Sequence, residues 1–213
     1  MTELYLDLLD VERKKVFQKL ACIKNEGVLA GGTALCLQIG KRYSYDFDIF
    51  FEKNNIPLNF ETLAKKIPVK KKLVDQSRFI TFLTKKEIQI TLFYYQHKPL
   101  YPLVKTKSLS LFHYFDIAAD KAFTLGRRPA WRDYVDIFFL LKNKYVSLEK
   151  MIKDAKRKFK AEFAPKLFLE QLAYYGDIKE FKVDFVGKQY TRREIEEFLK
   201  KKVRRYVKQK LGL

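Results

Sequence analysis

Cysteine and histidine are scarce in this chain: among 213 residues there are only Cys22, Cys36, His97 and His113. The two cysteines form neither a metal-ligand pattern nor a disulfide framework. Both sit in apolar stretches, which predicts buried free thiols. The two histidines are too few and too far apart for a His-based metal site. No run of about 18 apolar residues occurs, so no membrane-spanning helix and no membrane partner is expected. The amino-terminal stretch MTELYLDLLDVERKK carries acids where a signal peptide would be basic, and it has no clean apolar block with a small-residue cleavage site. Internal repeats and low-complexity tracts are also absent. Together these absences point to a reduced, cytoplasmic protein.

What the chain does have is positive charge and core material. Lys+Arg is 44 against 25 for Asp+Glu, a formal net charge of +19. An excess of this size suggests a polyanionic partner: nucleic acid, a nucleotide, an acidic protein or an anionic surface. A hydrophobic fraction of 47% over 213 residues supplies a sizeable core and predicts one or two domains.

Periodicity divides the chain into two parts. An amphipathic helix is expected from Asp10 to Lys24, with Val16, Phe17, Leu20, Ala21 and Ile23 as its apolar stripe. A short strand, Val28-Leu29-Ala30, runs into Gly31-Gly32. Thr33 to Ile39 reads as a helix, stopped by Gly40. In YDFDIFF (Tyr45 to Phe51), alternation puts Asp46, Asp48 and Phe50 on one strand face. A short helix near Phe60 to Ile67 follows. Three strand-like runs, Val69–Val74, Arg78–Leu83 and Ile88–Tyr95, suggest an antiparallel meander. From about Leu111 the pattern is helical, with helices expected over Asp116–Leu125, Trp131–Lys144, Leu148–Lys160 and Pro165–Tyr175, and a last one from Thr191. Thr191 and Glu194 make a capping-box pattern, followed by Ile195, Phe198, Leu199, Val203, Tyr206, Val207 and Leu211 at helical spacing. The expected organisation is an α/β part over residues 1–105 and a helical part over residues 106–213.

The chemistry concentrates in Gly31 to Phe51. A Gly-Gly turn lets backbone approach phosphates, and the helix N-terminus behind it offers free N–H donors. Thr33 adds a hydroxyl. Two carboxylates on one strand face, Asp46 and Asp48, can hold Mg²⁺ (or Mn²⁺), a hard cation that also takes phosphate oxygens as ligands. Unneutralised, two such charges about 7 Å apart would repel. Each signal alone is common; their combination at this spacing is not.

GGTALCLQIGKRYSYDFDIFF resembles the signature of the AbiEii/AbiGii-type nucleotidyltransferase toxins, part of the DNA-polymerase-β-like nucleotidyltransferase superfamily. A second block, DIAADKAFTLGRRPAWRDYVDIFFLL (Asp116 to Leu141), is similar to the family's helical motif, a lysine followed by an Arg-Asp-x-x-Asp helix. The resemblance implies an α+β fold: a nucleotidyltransferase core with a mixed sheet and flanking helices, then a C-terminal helical part. It also implies transfer of a nucleotide from an NTP to an acceptor hydroxyl, with Mg²⁺. Gly31, Gly32 and Thr33 would cradle the triphosphate. Asp46 and Asp48 would hold metal, and Lys121 would contact phosphates, with Arg128 as a further nucleotide-binding candidate. Asp133, or Asp136 one turn on, would complete the active centre. The acceptor would be RNA, with the tRNA 3′ end as one possibility, and a cognate antitoxin would control the protein.

The second block also makes sense without the family. GRRPA (Gly126 to Ala130) breaks a helix, so helices folded back on either side bring Lys121 opposite Asp133. The same pair would equally serve as an ion pair tying two helices together. One departure from the superfamily stands out. Its usual third strand carboxylate is missing, because the matching strand EIQITLFYY offers Gln89 and Thr91 on the relevant face. Either Glu87 or Asp133 substitutes, or the metal site is altered.

Basic residues cluster in three places: Lys200, Lys201, Lys202, Arg204, Arg205, Lys208 and Lys210; Lys65, Lys66, Lys70, Lys71 and Lys72; and Arg127, Arg128 and Arg132. Such surfaces could engage RNA phosphates with strong salt dependence, or simply be solvated. Tyr43 and Tyr45 flank Asp46 and could stack on a base or ribose. The alternative to an enzyme is an inactive nucleotidyltransferase fold that binds RNA or a protein partner through its basic face. An aminoglycoside-modifying role is disfavoured, since +19 repels cationic substrates.

Overall fold

The structure, a computed structural model, describes residues 4–212. The chain forms two compact units, one ending at Tyr114 and the other beginning at Phe115.

In the first unit, Asp10 caps helix α1 (Val11–Lys19) by accepting from the Arg13 N–H, as Asp does at a helix start. The expected helix to Lys24 ends early: a 3-10 turn over Leu20–Ile23 follows and buries Leu20 and Ile23. That turn points Cys22 to solvent, so only Cys36 of the two expected buried thiols is buried. Strand β1 (Gly27–Ala30) feeds straight into α2 (Gly31–Ile39), which closes at Gly40. Strand β2 spans Phe47–Phe51, so Tyr45 and Asp46 precede it rather than open it. Helix α3 covers Ile56–Ala64, starting four residues before the expected Phe60, with Pro57 in its first turn where a missing N–H costs nothing.

Strands β3 (Val69–Gln76), β4 (Phe79–Thr84) and β5 (Gln89–Tyr94) form the expected antiparallel meander. A two-residue strand, β6 (Ser110–Leu111), was not expected; so short a run carries no periodicity to read. The sheet is mixed, in the order β3-β4-β5-β2-β1-β6. β2 runs antiparallel to β1 and parallel to β5, and β1 runs parallel to β6. One face holds Leu29, Phe47, Ile49, Phe82, Ile90 and Leu92, all at 0% exposure. Helices α1 to α3 bear on it, for example through Phe17 on Phe47 and Phe60 on Phe82. Burial of this face is the main stabilising term of the unit, at roughly 25 cal/mol per Å² of apolar surface. The other face carries Asp48, Phe50, Thr91 and Phe93, none of them part of that core.

The second unit is helical. Helix α4 (Tyr114–Leu125) opens it, followed by α5 (Trp131–Lys142), α6 (Leu148–Phe159), α7 (Pro165–Leu172) and α8 (Arg192–Leu211). Thr191 and Glu194 form the expected capping box. Ile195, Leu199 and Val203 of α8 are buried, but Val207, expected in the same stripe, is 38% exposed. Nearly every residue of α5 is buried, from Trp131 to Leu141 with Arg132 as the exception. The fold class is the expected one: α+β with a mixed sheet, flanking helices and a C-terminal helical part. Among the described residues no helix is long and apolar enough to cross a membrane.

Candidate active site

In the first unit Gly31 meets the Asp48 carboxylate, Gly32 follows it, and Thr33 is tied to the Asp46 backbone. Register explains how: Ala30, the last residue of β1, pairs with Asp48 of β2, so the glycine turn leaves β1 beside that carboxylate. Gly31 has φ +65°, a left-handed conformation that side chains rarely adopt. A Cβ there would also collide with the Asp48 carboxylate. Glycine is therefore required twice over, by the turn and by the close approach. At Gly32 a Cβ would stand 2.7 Å from Arg42 Nη2 and 2.9 Å from Ser44 Oγ. The first turn of α2 is thus bounded by a carboxylate on one side, and by a guanidinium and a hydroxyl on the other.

Thr33 Oγ1 donates to the Asp46 carbonyl and lies 3.0 Å from Ser44 Oγ. It is 1% exposed, so its hydroxyl fastens the segment before β2 to α2 rather than facing a ligand. Arg42 is 5% exposed and donates from Nη1 to the Tyr43 carbonyl at 2.9 Å. Sequence reading singled out neither Arg42 nor Ser44. The available signal was their place in the short link between the glycine turn and the aspartates, with a basic residue and a hydroxyl one residue apart. Tyr43 and Tyr45 are both exposed, with nearly parallel rings 6.5 Å apart, and Arg13 lies over Tyr45.

The third strand position falls to Thr91, which pairs in register with Asp48. Its hydroxyl lies 3.3 Å from that of Thr81. Glu87 is no substitute. It sits in the β4–β5 turn with φ +57°, ion-paired to Lys70. Four residues separate it from Thr91, about 13 Å along a strand. Among the described residues no group of three or more His, Cys, Asp or Glu is arranged to hold a metal. Asp48 lies against Gly31, and Asp46 supplies a second carboxylate two residues before it. They do not make the three-carboxylate set expected of the superfamily.

The second unit holds Lys121, Asp133 and Asp136 together. The break at Gly126 to Ala130 folds α5 back on α4, and Lys121 Nζ meets Asp133 Oδ1 at 2.5 Å and Asp136 Oδ2 at 2.9 Å. The three side chains are 12%, 7% and 3% exposed. Asp133 Oδ2 is buried and has no hydrogen-bond partner among the described residues. A buried carboxylate oxygen left without a donor is costly. Arg127 and Arg128 are exposed in the break, and Arg132 is exposed in the first turn of α5. A second buried cation, Lys158 of α6, is fully enclosed and pairs with Asp116 and Asp120 of α4 at 3.1 and 2.7 Å. Sequence reading missed it, although a lysine in line with Met151, Ile152, Ala155 and Phe159 breaks the apolar pattern of α6. Behind Asp133, burial pushes the Tyr134 phenol up to about 12, and its hydroxyl donates to the carbonyls of Gln171 and Tyr174.

The basic residues flagged by sequence are mostly exposed, although Lys70 and Lys72 pair with Glu87 and Asp75, and Lys210 with Glu149. No family model matches the chain. An uncharacterized protein of Aquifex aeolicus is 28% identical over 206 residues, covering 93% of this chain and 98% of that protein. Among solved structures, MenT4, a nucleotidyltransferase toxin of Mycobacterium tuberculosis, is similar with a TM-score of 0.63 at 13% identity, over 93% of this chain and 82% of its own. A candidate nucleotidyltransferase of H. pylori is similar with a TM-score of 0.52 at 16% identity, over 92% of both chains. At such identities the likeness is one of architecture, and with the Gly31–Asp48 junction it leads to one conclusion: the chain has a nucleotidyltransferase fold.

Proposed function

We propose that the chain is a Mg²⁺-dependent nucleotidyltransferase of the AbiEii/AbiGii type. In this reading it moves a nucleotidyl group from an NTP to an acceptor hydroxyl of RNA, with the tRNA 3′ end as one candidate, and acts as the toxin of a toxin–antitoxin pair. The observation that carries the reading is the placement of the Asp48 carboxylate over Gly31, where the free N–H groups of α2 begin. Anion-binding donors and a cation-binding carboxylate then share one small volume, the pairing that a nucleoside triphosphate requires.

Gly31 and Gly32 expose backbone N–H groups to the triphosphate, while Arg42 and Ser44 supply a charge and a hydroxyl beside it. Asp46 and Asp48 would hold Mg²⁺ or Mn²⁺, which when bound neutralises phosphate charge and polarises the phosphoryl oxygens. The acceptor oxygen forms a bond to the α-phosphorus, the bond to pyrophosphate breaks, and the acceptor proton leaves to a base. Tyr43 and Tyr45 offer flat faces for the base of the NTP. In the second unit, Lys121 is proposed as a phosphate ligand and Asp133, through its unsatisfied Oδ2, as acceptor of a ligand hydrogen bond, with Asp136 anchoring Lys121.

A second reading, a catalytically inactive fold that binds RNA, is favoured by one observation: the residue in register with Asp48 on the neighbouring strand is Thr91, not a carboxylate. Label position separates the two readings. Incubation with total RNA and Mg²⁺ should move label from α-labelled NTP into RNA and leave γ-label in pyrophosphate. RNA binding without transfer of either label would establish the second reading instead.

A further inference from the structure

The sheet face that carries Asp48 also carries a row of aromatic side chains that the proposed reaction does not use. Phe50 lies two residues from Asp48 on the same strand face, about 7 Å away. In register beside it stand Phe93 of β5 and, beyond that, Phe79 of β4. The rings touch in sequence: Phe79 to Phe93 at 5.6 Å and Phe93 to Phe50 at 5.6 Å between centroids. Thr81, Thr91 and Asp48 form the neighbouring row of the same face by the same register. Aromatic and polar rows therefore run side by side across three strands. Phe93 is 37% exposed, and Phe50 and Phe79 are only partly covered.

At its Phe50 end the row enters a cavity of about 400 Å³. Tyr95 stacks on Phe50 at 4.4 Å and 25°, and Phe112 meets Phe50 edge-on at 5.7 Å. His97 stands edge-on to Tyr95. Lys24 and Lys105 are among the lining residues. Lys98, Glu26 and Glu52 line it too, Lys98 within 3.4 Å of Glu52, so three ammonium groups face two carboxylates. The lining is more aromatic than aliphatic, with Phe50, Phe51, Tyr95, His97 and Phe112 against Val28, Pro99 and Leu103. An apolar peptide would be served as well by leucines, whereas flat rings rimmed by lysines suit flat bases joined by phosphates.

We infer that this row and cavity form a stacking site for unpaired bases of a single-stranded RNA, holding the acceptor strand on the same sheet face as Asp48. The inference deepens the transferase reading by giving the RNA acceptor a seat, and it rests on that reading for the word acceptor. Base stacking on Phe50, Phe93 and Tyr95 is tolerant of sequence, since every base has a π face. Specificity for an unpaired strand follows from the same geometry, because bases inside a duplex cannot lie flat on a sheet.

The test uses the full chain and a short oligoribonucleotide carrying 2-aminopurine, whose fluorescence is quenched by stacking. Wild type is compared with Phe93→Ala, which removes an exposed ring, and with Phe50→Leu, which keeps apolar volume but loses the π face. Quenching on binding is expected for wild type. Each variant should bind about 5- to 150-fold more weakly, the range for losing one aromatic–base stack, with melting temperature and salt dependence of binding preserved. Asp48→Asn should keep the quench. Undiminished quenching in both Phe variants, or no binding of single-stranded RNA by wild type, would overturn the inference. Label transfer is measured on the same proteins. A Phe93-dependent quench without any transfer would sink the transferase reading alone; transfer without quench would sink the stacking site alone.

Discussion

Replacing Lys121 by Met should unfold the protein at a markedly lower temperature, whatever its effect on activity. Lys121 is the cation between Asp133 and Asp136, and the three side chains are 12%, 7% and 3% exposed. Removing it leaves two carboxylates, neighbours at i and i+3 on α5, buried without their cation. Breaking a buried pair by deleting one partner costs about 3–5 kcal/mol, chiefly from the stranded charge. With two stranded carboxylates the loss should lie toward the top of that range. For a cooperative unit of this chain's size, each kcal/mol shifts the melting temperature by about 2–4 °C, so a fall of roughly 6–20 °C is expected. Circular dichroism melts and urea midpoints read it directly. The triple variant Lys121→Met, Asp133→Asn, Asp136→Asn should recover more than half of the loss, because the amides carry no charge to strand. If Lys121→Met melts within a degree of wild type, the ion cluster is not a structural element and the reasoning fails.

Gly31→Ala should cost about 1–2 kcal/mol for its left-handed backbone, and by pushing aside the Asp48 carboxylate it should lower nucleotide transfer roughly 100-fold or more; a variant with normal transfer would show that the close approach is incidental. Tyr134→Phe should flatten the alkaline loss of stability. The folded phenol is raised by burial to about 12, so its contribution is complete below about pH 10 and lost as pH rises toward 12, about 2–3 kcal/mol in all. Urea unfolding at pH 9, 10 and 11 should show a steeper decline in wild type than in the variant, and equal slopes would contradict the assignment. Thr191→Ala removes one half of the capping box of α8 and should cost about 1 kcal/mol by chemical denaturation; no change would mean the cap is redundant.

Much of this structure was legible because its signals are local. The break at Gly126 to Ala130 foretold that Lys121 would meet Asp133, and the bond is there at 2.5 Å. The alternation in YDFDIFF placed Asp48 and Phe50 on one face, although the strand itself begins only at Phe47. What sequence could not supply was register. That Asp48 lies opposite Ala30 and Thr91 depends on pairings among β1, β2 and β5, which are distant in sequence. Register showed that Thr91 pairs with Asp48 and that Glu87 lies in a turn away from it. Arg42 escaped notice because a lone arginine in a basic chain is unremarkable until its guanidinium is found beside Gly32. Cys22 was misplaced because apolar neighbours do not fix direction: the 3-10 turn buries Leu20 and Ile23 and leaves Cys22 exposed. The aromatic row was hidden for a further reason. Phe50, Phe79 and Phe93 lie in three separate strand-like runs, and only the sheet order shows that they share a partly open face.

The central claim is that the junction of Gly31 and Asp48 is a catalytic centre for nucleotidyl transfer. Asp48→Asn tests it most directly, because it removes one charge while keeping the side chain's shape. Transfer from α-labelled NTP to RNA is measured for wild type and variant at equal concentration, with matched melting curves. Transfer should fall about 100-fold or more, the scale of losing one preorganised electrostatic group at a reacting centre. Transfer by Asp48→Asn at the wild-type rate would contradict it.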